Sequence, residues 1–408
     1  MNPKVIWGVF YLAVNAVALL YSLSTGELLG DGAGFPISQP DRLYLAFFLI
    51  AASIVALYVT FDLLCRVRVA VRETRLDGHA LDLAFGLLIL LFVAYVQLTG
   101  LFVAGSAERG GTLLSAFFVL FNVDLLFLIY YAAGRHHAGF PFVTAVWLLS
   151  VIQRGWFGYI FLVVALESVR LIRRGRVNPL WVLLLLVLVP AFPILDAVKV
   201  FIRLNPGMQV GDLLAIVPGL VSDVEIDVLE VLPVLVEKIV GRLQVLTHAY
   251  LVIDNQDFFL AEVEDRGVMA FWREGIFGVF YDRLFAIERL PESSQLLATF
   301  IAPETESAWN VNPSLVGWLF IYRDTLPFAL GYLLLLCTVS FMLMKKISNT
   351  RHARDALWFY WLVLLIPGWV SQFASFVATM LLFVFVVALA RAIGGLLSVG
   401  AVRHEQHS

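Results

Sequence analysis

LYLAFFLIAASIVALYVTFDLLC followed by RVRVAVRETR, residues 43–75, decides what kind of protein this is. The first part holds a single charged group, Asp62, and a helix needs about 20 apolar residues to cross a hydrocarbon core about 30 Å thick. The second part holds Arg66, Arg68, Arg72 and Arg75. An apolar run closed by arginines reads as a membrane span whose basic end stays in the cytoplasm.

Working outward, the same pattern recurs along the chain. Spans are expected at 4–22, 43–65, 80–104, 113–133, 141–153, 156–172, 178–198, 326–344, 356–371 and 374–398. The composition agrees: 61% of the 408 residues are hydrophobic and 14% are charged, against roughly a quarter charged in a soluble domain. Arg135, then Arg173, Arg174 and Arg176, then Lys345, Lys346, Arg351 and Arg354 fall in alternate connections, on the same side as the first cluster. The opposite connections, 27–41 and 106–111, are neutral or acidic. This arrangement puts both termini in the cytoplasm, with Lys4 and Arg403 in agreement. The first apolar run lacks a small-residue cleavage pattern and is followed by further spans, so it reads as a retained helix.

The chain is therefore expected to be an all-α polytopic membrane protein in three parts: spans one to seven in 1–201, a large external domain in 202–325, and spans eight to ten with a short tail in 326–408. The middle part is too long for a plain connection and too rich in apolar and aromatic residues to be disordered. Residues 231–253 read as a helix in which Glu237, Lys238, Arg242 and Gln244 interrupt apolar positions. Residues 258–285 mix Phe, Trp and Tyr with Arg266, Arg273 and Arg283. Both suit helices half submerged at the membrane interface, capping the outer face of the bundle.

Several chemistries are missing. There is no GxxxxGKS loop, no GxGxxG between a strand and a helix, and no HExxH. His136 and His137 read as solvated residues of a turn. Cys65 and Cys337 lie in or beside spans, which excludes a disulfide framework or cysteine metal site in the external domain. Neither a metal nor a cofactor is expected, and nothing points to a nucleic acid. Arginines stand where an anionic lipid headgroup would sit: Arg154 beyond span five, Arg203 beyond span seven, Arg242, and Arg323 at the entrance to span eight. Guanidinium meets phosphate oxygens in bidentate fashion, although an interfacial arginine also snorkels to lipid phosphates without any further role. Within the spans, Asn122 and Asp124, and Glu167 with Arg170 at i, i+3, are read as ties between helices, with a proton pathway as the alternative.

Gln153-Arg154-Gly155 with its following span and basic turn resembles the arginine-bearing span pair of the O-antigen polymerases, the Wzy-type oligosaccharide repeat unit polymerases. Asn310-Val-Asn-Pro-Ser-Leu-Val-Gly317 is similar to the Pro-Ser-x-x-Gly segment that closes their large periplasmic loop. After Gly317 the chain departs from the commoner pattern, with Trp318 and Arg323-Asp324 in place of an acidic-aromatic and Asn-Phe-Gly run.

The resemblance implies a GT-C-like glycosyltransferase of the bacterial inner membrane with its site facing the periplasm. Its donor and acceptor would be undecaprenyl-diphosphate-linked glycans, among membrane lipids and with a polysaccharide chain-length regulator as a further partner. The leaving diphosphate needs cations, for which Arg154, Arg203, Arg242, Arg273 and Arg323 are the candidates. The acceptor hydroxyl needs a base, for which His248 is the candidate and Asp254, Glu304 and Glu306 the acidic alternatives. Tyr250, Trp309 and Asn310, with Trp272, are candidate sugar contacts. An O-antigen ligase, a peptidoglycan-type polymerase and a lipid-linked glycan transporter are the competing readings.

Overall fold

The structure, a computed structural model, describes residues 3–67, 78–103, 112–134, 137–156, 158–173, 243–265, 267–285, 289–303 and 310–385, with a few single positions between them. Among these residues the architecture is helical, with no strand. In chain order the helices are α1 (Pro3–Thr25), α2 (Pro40–Arg66), α3 (Gly78–Thr99), α4 (Leu113–Leu120), α5 (Val123–Gly134), α6 (Phe140–Gln153), α7 (Gly158–Arg173), α8 (Leu246–Asp254), α9 (Gln256–Asp265), α10 (Ile276–Phe285), α11 (Ser293–Ile301), α12 (Ser314–Ile321), α13 (Leu326–Ile347), α14 (Arg351–Leu365) and α15 (Val370–Phe385). Pro40, Pro141 and Pro327 stand in the first turns of α2, α6 and α13, where the N–H they lack has no intrahelical partner in any case. The Thr112 and Thr350 side chains accept the Ser115 and Ala353 N–H groups and start α4 and α14.

Among the described residues five segments are long and apolar enough to cross a membrane: Lys4–Thr25, Pro40–Arg66, Leu81–Thr99, Leu113–Ala133 and Arg323–Ile347. They coincide with expected spans one to four and eight. Expected spans five, six and ten appear as the shorter apolar helices Phe140–Gln153, Gly158–Ser168 and Val370–Phe385, while span seven, 178–198, lies outside the described residues apart from Val198.

The fourth segment is broken in the middle, and Asn122 is the reason. Its Oδ1 accepts the Asp124 and Leu125 N–H groups, both at 3.1 Å, so it caps α5 and does not tie helices together. The last two helices form an antiparallel hairpin. Trp361 meets Phe373 and Tyr360 meets Phe376 at ring-centroid distances of 6.4 and 5.5 Å, which a continuous helix could not achieve over such sequence separations.

Contacts sort the helix ends into two sets. At one end Lys4 pairs with Asp62 at 3.3 Å, and Trp358 donates to the Lys4 carbonyl at 3.1 Å. Also at this end, Asp82 accepts from Tyr130 at 2.7 Å and from the Gly139 N–H at 2.9 Å, and lies 3.0 Å from His137 Nδ1. His137 is thus part of a buried polar knot, against the expectation of a solvated turn. Arg66, Lys345, Lys346, Arg351 and Arg354 gather at the same end. At the opposite end lie the 26–39 connection, Arg154 and the short helices α8 to α12.

Those short helices depart from the expected interfacial cap in one respect. In α8, Leu246, Thr247, Ala249, Tyr250, Leu251, Val252 and Ile253 are buried, because the helix packs between α2 and α12 and also touches α1. A helix with apolar residues around most of its circumference belongs in an interior, and the polar groups of Thr247 and Tyr250 on α8 find partners there. The stretch 258–285 fits its expectation better: Phe258, Trp272, Phe277, Leu284 and Phe285 of α9, α10 and the connection between them are exposed.

α12 enters the bundle end-on. Its first N–H groups, on Ser314 and Leu315, donate to the Pro367 and Ile366 carbonyls at 3.1 and 3.0 Å, just past the end of α14. The positive end of one helix dipole meets the negative end of another, and backbone groups that lack intrahelical partners satisfy each other. The junction forces Ser314 to φ +64° and needs glycine at 368, where φ is +84° and a Cβ would lie 2.6 Å from the Ser314 carbonyl carbon. Gly368→Ala is therefore expected to cost at least about 2 kcal/mol through left-handed strain and overpacking. Gly331→Ala, where a Cβ meets nothing within 4 Å, is the matched control. Unfolding midpoints in detergent should fall for the first variant alone, and equal midpoints would contradict the junction.

Candidate functional site

The end of the molecule that carries α8 to α12 is the candidate site, and it is assembled from the 26–39 connection upward. Gln244 Nε2 donates to the Leu29 carbonyl at 3.1 Å, and Thr247 Oγ1 donates to the same carbonyl at 2.9 Å. Asn15 Oδ1 accepts the Val245 N–H at 2.9 Å. Further along α8, Tyr250 Oη accepts the Ser38 N–H at 3.0 Å and donates to Asp254 Oδ2 at 3.1 Å, while Ser38 Oγ also donates to that carboxylate. Arg42 of α2 closes the set with a 2.7 Å bond to the Asp254 carbonyl. These bonds hold the connection rigidly along one side of α8.

His248 lies within this frame. Its side chain is 13% exposed, and Nε2 lies 3.6 Å from Asp31 Oδ2. That is too long for a hydrogen bond, and Nε2 is buried with no hydrogen bond among the described residues. Tyr250 is buried and committed to Ser38, Gln39 and Asp254, so its ring anchors the connection and offers no face to a sugar.

On the far side of α12, Arg323 is half exposed, with Nε 3.7 Å from Asp324. With Val252, Gln256, Phe259, Leu260, Phe320 and Ile321 it lines a depression of about 10 Å³, the volume of a single water. Asn310 is exposed. Arg273 is committed to Asp282 and stacks over the Tyr281 ring at 5.1 Å.

Arg154 sits elsewhere, at the end of α6, which packs on α3, α5 and α7. It is 3% exposed. Nη1 and Nη2 grip Asp124 in a bidentate pair at 2.8 and 2.6 Å, Nε donates to the Ser150 carbonyl at 3.1 Å, and the Phe92 ring covers the guanidinium at 4.9 Å. Trp147 adds a third donor to Asp124 at 3.1 Å. Asp124 thus makes the interhelical tie expected of it, and Arg154 is its partner. Arg203, Arg242, Trp309, Glu304 and Glu306 lie outside the described residues.

Two features at this end carry no signal in the sequence. One is Asp31, facing His248 from more than two hundred positions earlier in the chain. The other is Glu274, 3% exposed, which accepts the Ser293 N–H at 2.8 Å, Trp318 Nε1–H at 2.7 Å and a contact from Tyr322 at 2.9 Å. Burial pushes its carboxyl above the ordinary carboxylate range, although the hydrogen bonds pull the other way. Burial also pushes the Tyr322 phenol well up, and the neighbouring Glu274 adds to the effect. Among the described residues no cluster of His, Cys, Asp and Glu suits a metal ion.

Arg154→Ala leaves Asp124 as an uncompensated buried charge, a loss of about 3–5 kcal/mol. Its level in the membrane should fall along with any activity. The double variant Arg154→Met, Asp124→Leu should recover most of that stability, as read from unfolding midpoints. A normal level and midpoint in Arg154→Ala alone would free the arginine for a role in binding.

Comparison with known proteins provides no family for the chain: no family model matches it, and neither a curated protein nor a solved structure does.

Proposed function

We propose that the chain is a GT-C-like glycosyltransferase of about ten spans in the bacterial inner membrane. In this reading it joins undecaprenyl-diphosphate-linked repeat units into a surface polysaccharide on the periplasmic face. The observation that carries the reading is the set of short helices α8 to α12, built onto the end of an apolar bundle opposite the end where the basic connections collect. The resemblance is supported at its closing motif. Pro313-Ser314-x-x-Gly317 makes a strained, buried junction in which Ser314 Oγ accepts the Gly317 N–H at 3.1 Å. Gly317 also lets α12 lie against Val252 of α8, where a Cβ would stand 3.1 Å from that side chain.

In the reaction, an acceptor sugar hydroxyl attacks the anomeric carbon of the donor glycan. The new glycosidic bond forms as the bond to diphosphate breaks, undecaprenyl diphosphate leaves, and the hydroxyl proton passes to a base. His248 takes that proton, because an imidazole is a competent base near neutral pH, and Asp31 faces the imidazolium that results. Arg323, a half-exposed cation of this end, meets the growing charge on the diphosphate, joined by Arg203 and Arg242. Arg154 holds α6 to α5 and takes part only through the shape of the bundle.

Deleting the gene in its host and resolving the surface and lipid-linked glycans by length tests the reading. The expected result is a ladder collapsed to one repeat unit, restored by the wild-type gene. His248→Gln should restore it about 10²-fold less well, the usual contribution of a positioned base. Long lipid-linked chains that never reach a final acceptor would replace polymerase by ligase, and an unchanged ladder would end both.

A further inference from the structure

Every group that touches the buried Glu274 carboxyl among the described residues is neutral: the Ser293 N–H and hydroxyl and the side chains of Trp318 and Tyr322. Among the described residues no Lys, Arg or His forms an ion pair with it. Arg273, its neighbour in the chain, is committed to Asp282, and Arg289 pairs with Glu292 at 2.5 Å. The titratable groups that face it from the packed elements are Tyr322, after α12, and Tyr332, on α13. Glu292, beside Ser293, adds negative charge near Tyr322. The α15 helix, whose Ser371 backbone lies against Gly275, has no charged residue from 370 to 385.

Counting protons around Tyr322 decides the state of this acid. Tyr322 Oη lies 2.6 Å from the Met269 carbonyl oxygen and 2.9 Å from Glu274 Oε1. A phenol brings one proton and a carbonyl brings none. If the phenol donates to Met269, the contact with Oε1 has a hydrogen only when Glu274 supplies it. If the phenol donates to an ionised Glu274 instead, two lone-pair oxygens are pressed together at the Met269 contact. Only a protonated Glu274 gives both contacts a hydrogen.

We propose that Glu274 is carried as a neutral carboxylic acid and that its proton pins the 267–301 segment to α12, so that loss of the proton releases the segment. Ionisation would place a charge that only neutral donors answer in a seam to which the described residues bring no cation, at a cost that separating the segment from α12 relieves. The bonds given up are those of Trp318 and Tyr322 to Glu274 and Met269, which join the 267–301 segment to α12 and the residue after it, and that of Ser293, which ties the two halves of the segment to each other. The carboxyl titrates above its ordinary range when folded. The stability it contributes is therefore complete below the pKa of the unfolded chain and is lost as pH rises through the folded value. This inference stands whichever reaction the protein performs.

The test uses the full chain in lipid nanodiscs. At neutral pH, infrared spectra of the wild type should contain the carbonyl stretch of a protonated carboxylic acid, and Glu274→Gln should remove it. Glu274→Asp, which keeps the acid and moves the band, makes the same assignment if the Gln variant does not fold. Amide hydrogen exchange of 267–301, corrected for the intrinsic effect of pH, should speed up about tenfold on going from mildly acid to alkaline pH in the wild type. In Glu274→Gln, a permanent neutral mimic, it should stay flat. Absence of the band, or an equal rise in both proteins, would overturn the proposal.

Discussion

An acid buried in an apolar bundle must be answered by the protein itself, because neither water nor lipid will do it. Among the described residues four acids are buried: Asp82, Asp124, Glu167 and Glu274. Each one marks a junction between elements. Asp82 gathers Tyr130, His137 and Gly139 onto α3. Asp124 fastens α5 to the end of α6 through Arg154 and Trp147. Glu167 of α7 accepts from Tyr131 at 2.8 Å and from Arg170 at 2.7 Å. Glu274 joins the 267–275 connection to α11 and α12. Dispersion between apolar helices has little preference for one rotation over another, since lipid tails offer similar contacts. The polar ties do discriminate, and they account for which helix faces meet.

The same requirement explains why α8 and α12 sink into the bundle. Both are short, and a short helix exposes a large share of unpaired backbone groups at its ends. Asn15 Oδ1 accepts the Val245 N–H and Gln244 Oε1 the Thr247 N–H at the start of α8, and the carbonyls after α14 take up those of α12. With their ends satisfied by neighbours, the two helices can bury nearly every side chain. Close approach then becomes the limit, which is where Gly317 and the small residues of the 26–39 connection come in. A Cβ on Gly30 would lie 2.6 Å from the Gly241 carbonyl oxygen, so the connection must run backbone against backbone along the approach to α8.

What the sequence discloses follows from which forces are local. Long apolar runs and their basic ends depend only on composition over some twenty positions, and the first four spans and the eighth are recognisable on that basis. Glu167 and Arg170 are also legible, because their i, i+3 spacing is a local fact. Asn122 shows the limit: a polar residue inside an apolar run signals either a tie or a break, and only its bonds to Asp124 and Leu125 tell which. Arg154 shows it more sharply. A cation at a span end looks like a headgroup ligand until its partner, thirty positions earlier, is seen to occupy it. His248 and Asp31, and Glu274 with Tyr322, are meetings across long sequence distances that no local pattern encodes. The residues 246–254 are mostly apolar with Thr247, His248, Tyr250 and Asp254 among them, a pattern compatible with either an interface or an interior, and tertiary packing makes the choice.

The commitments of the arginines constrain any anionic ligand at the end that carries α8 to α12. A diphosphate that displaced Asp124 from Arg154 would leave that carboxylate buried and unanswered, which offsets what the new pair contributes. The same argument protects the pair between Arg273 and Asp282, whose side chains are 12% and 10% exposed. Arg323 is different. Its partner Asp324 is largely in solvent, and their contact at 3.7 Å is a weak surface pair. Little is lost when an anion takes its place, and the half-exposed guanidinium keeps its bidentate geometry. Among the described arginines treated as candidates, recognition of a phosphate would therefore fall to the least engaged one. The buried pairs serve by holding their own elements in place.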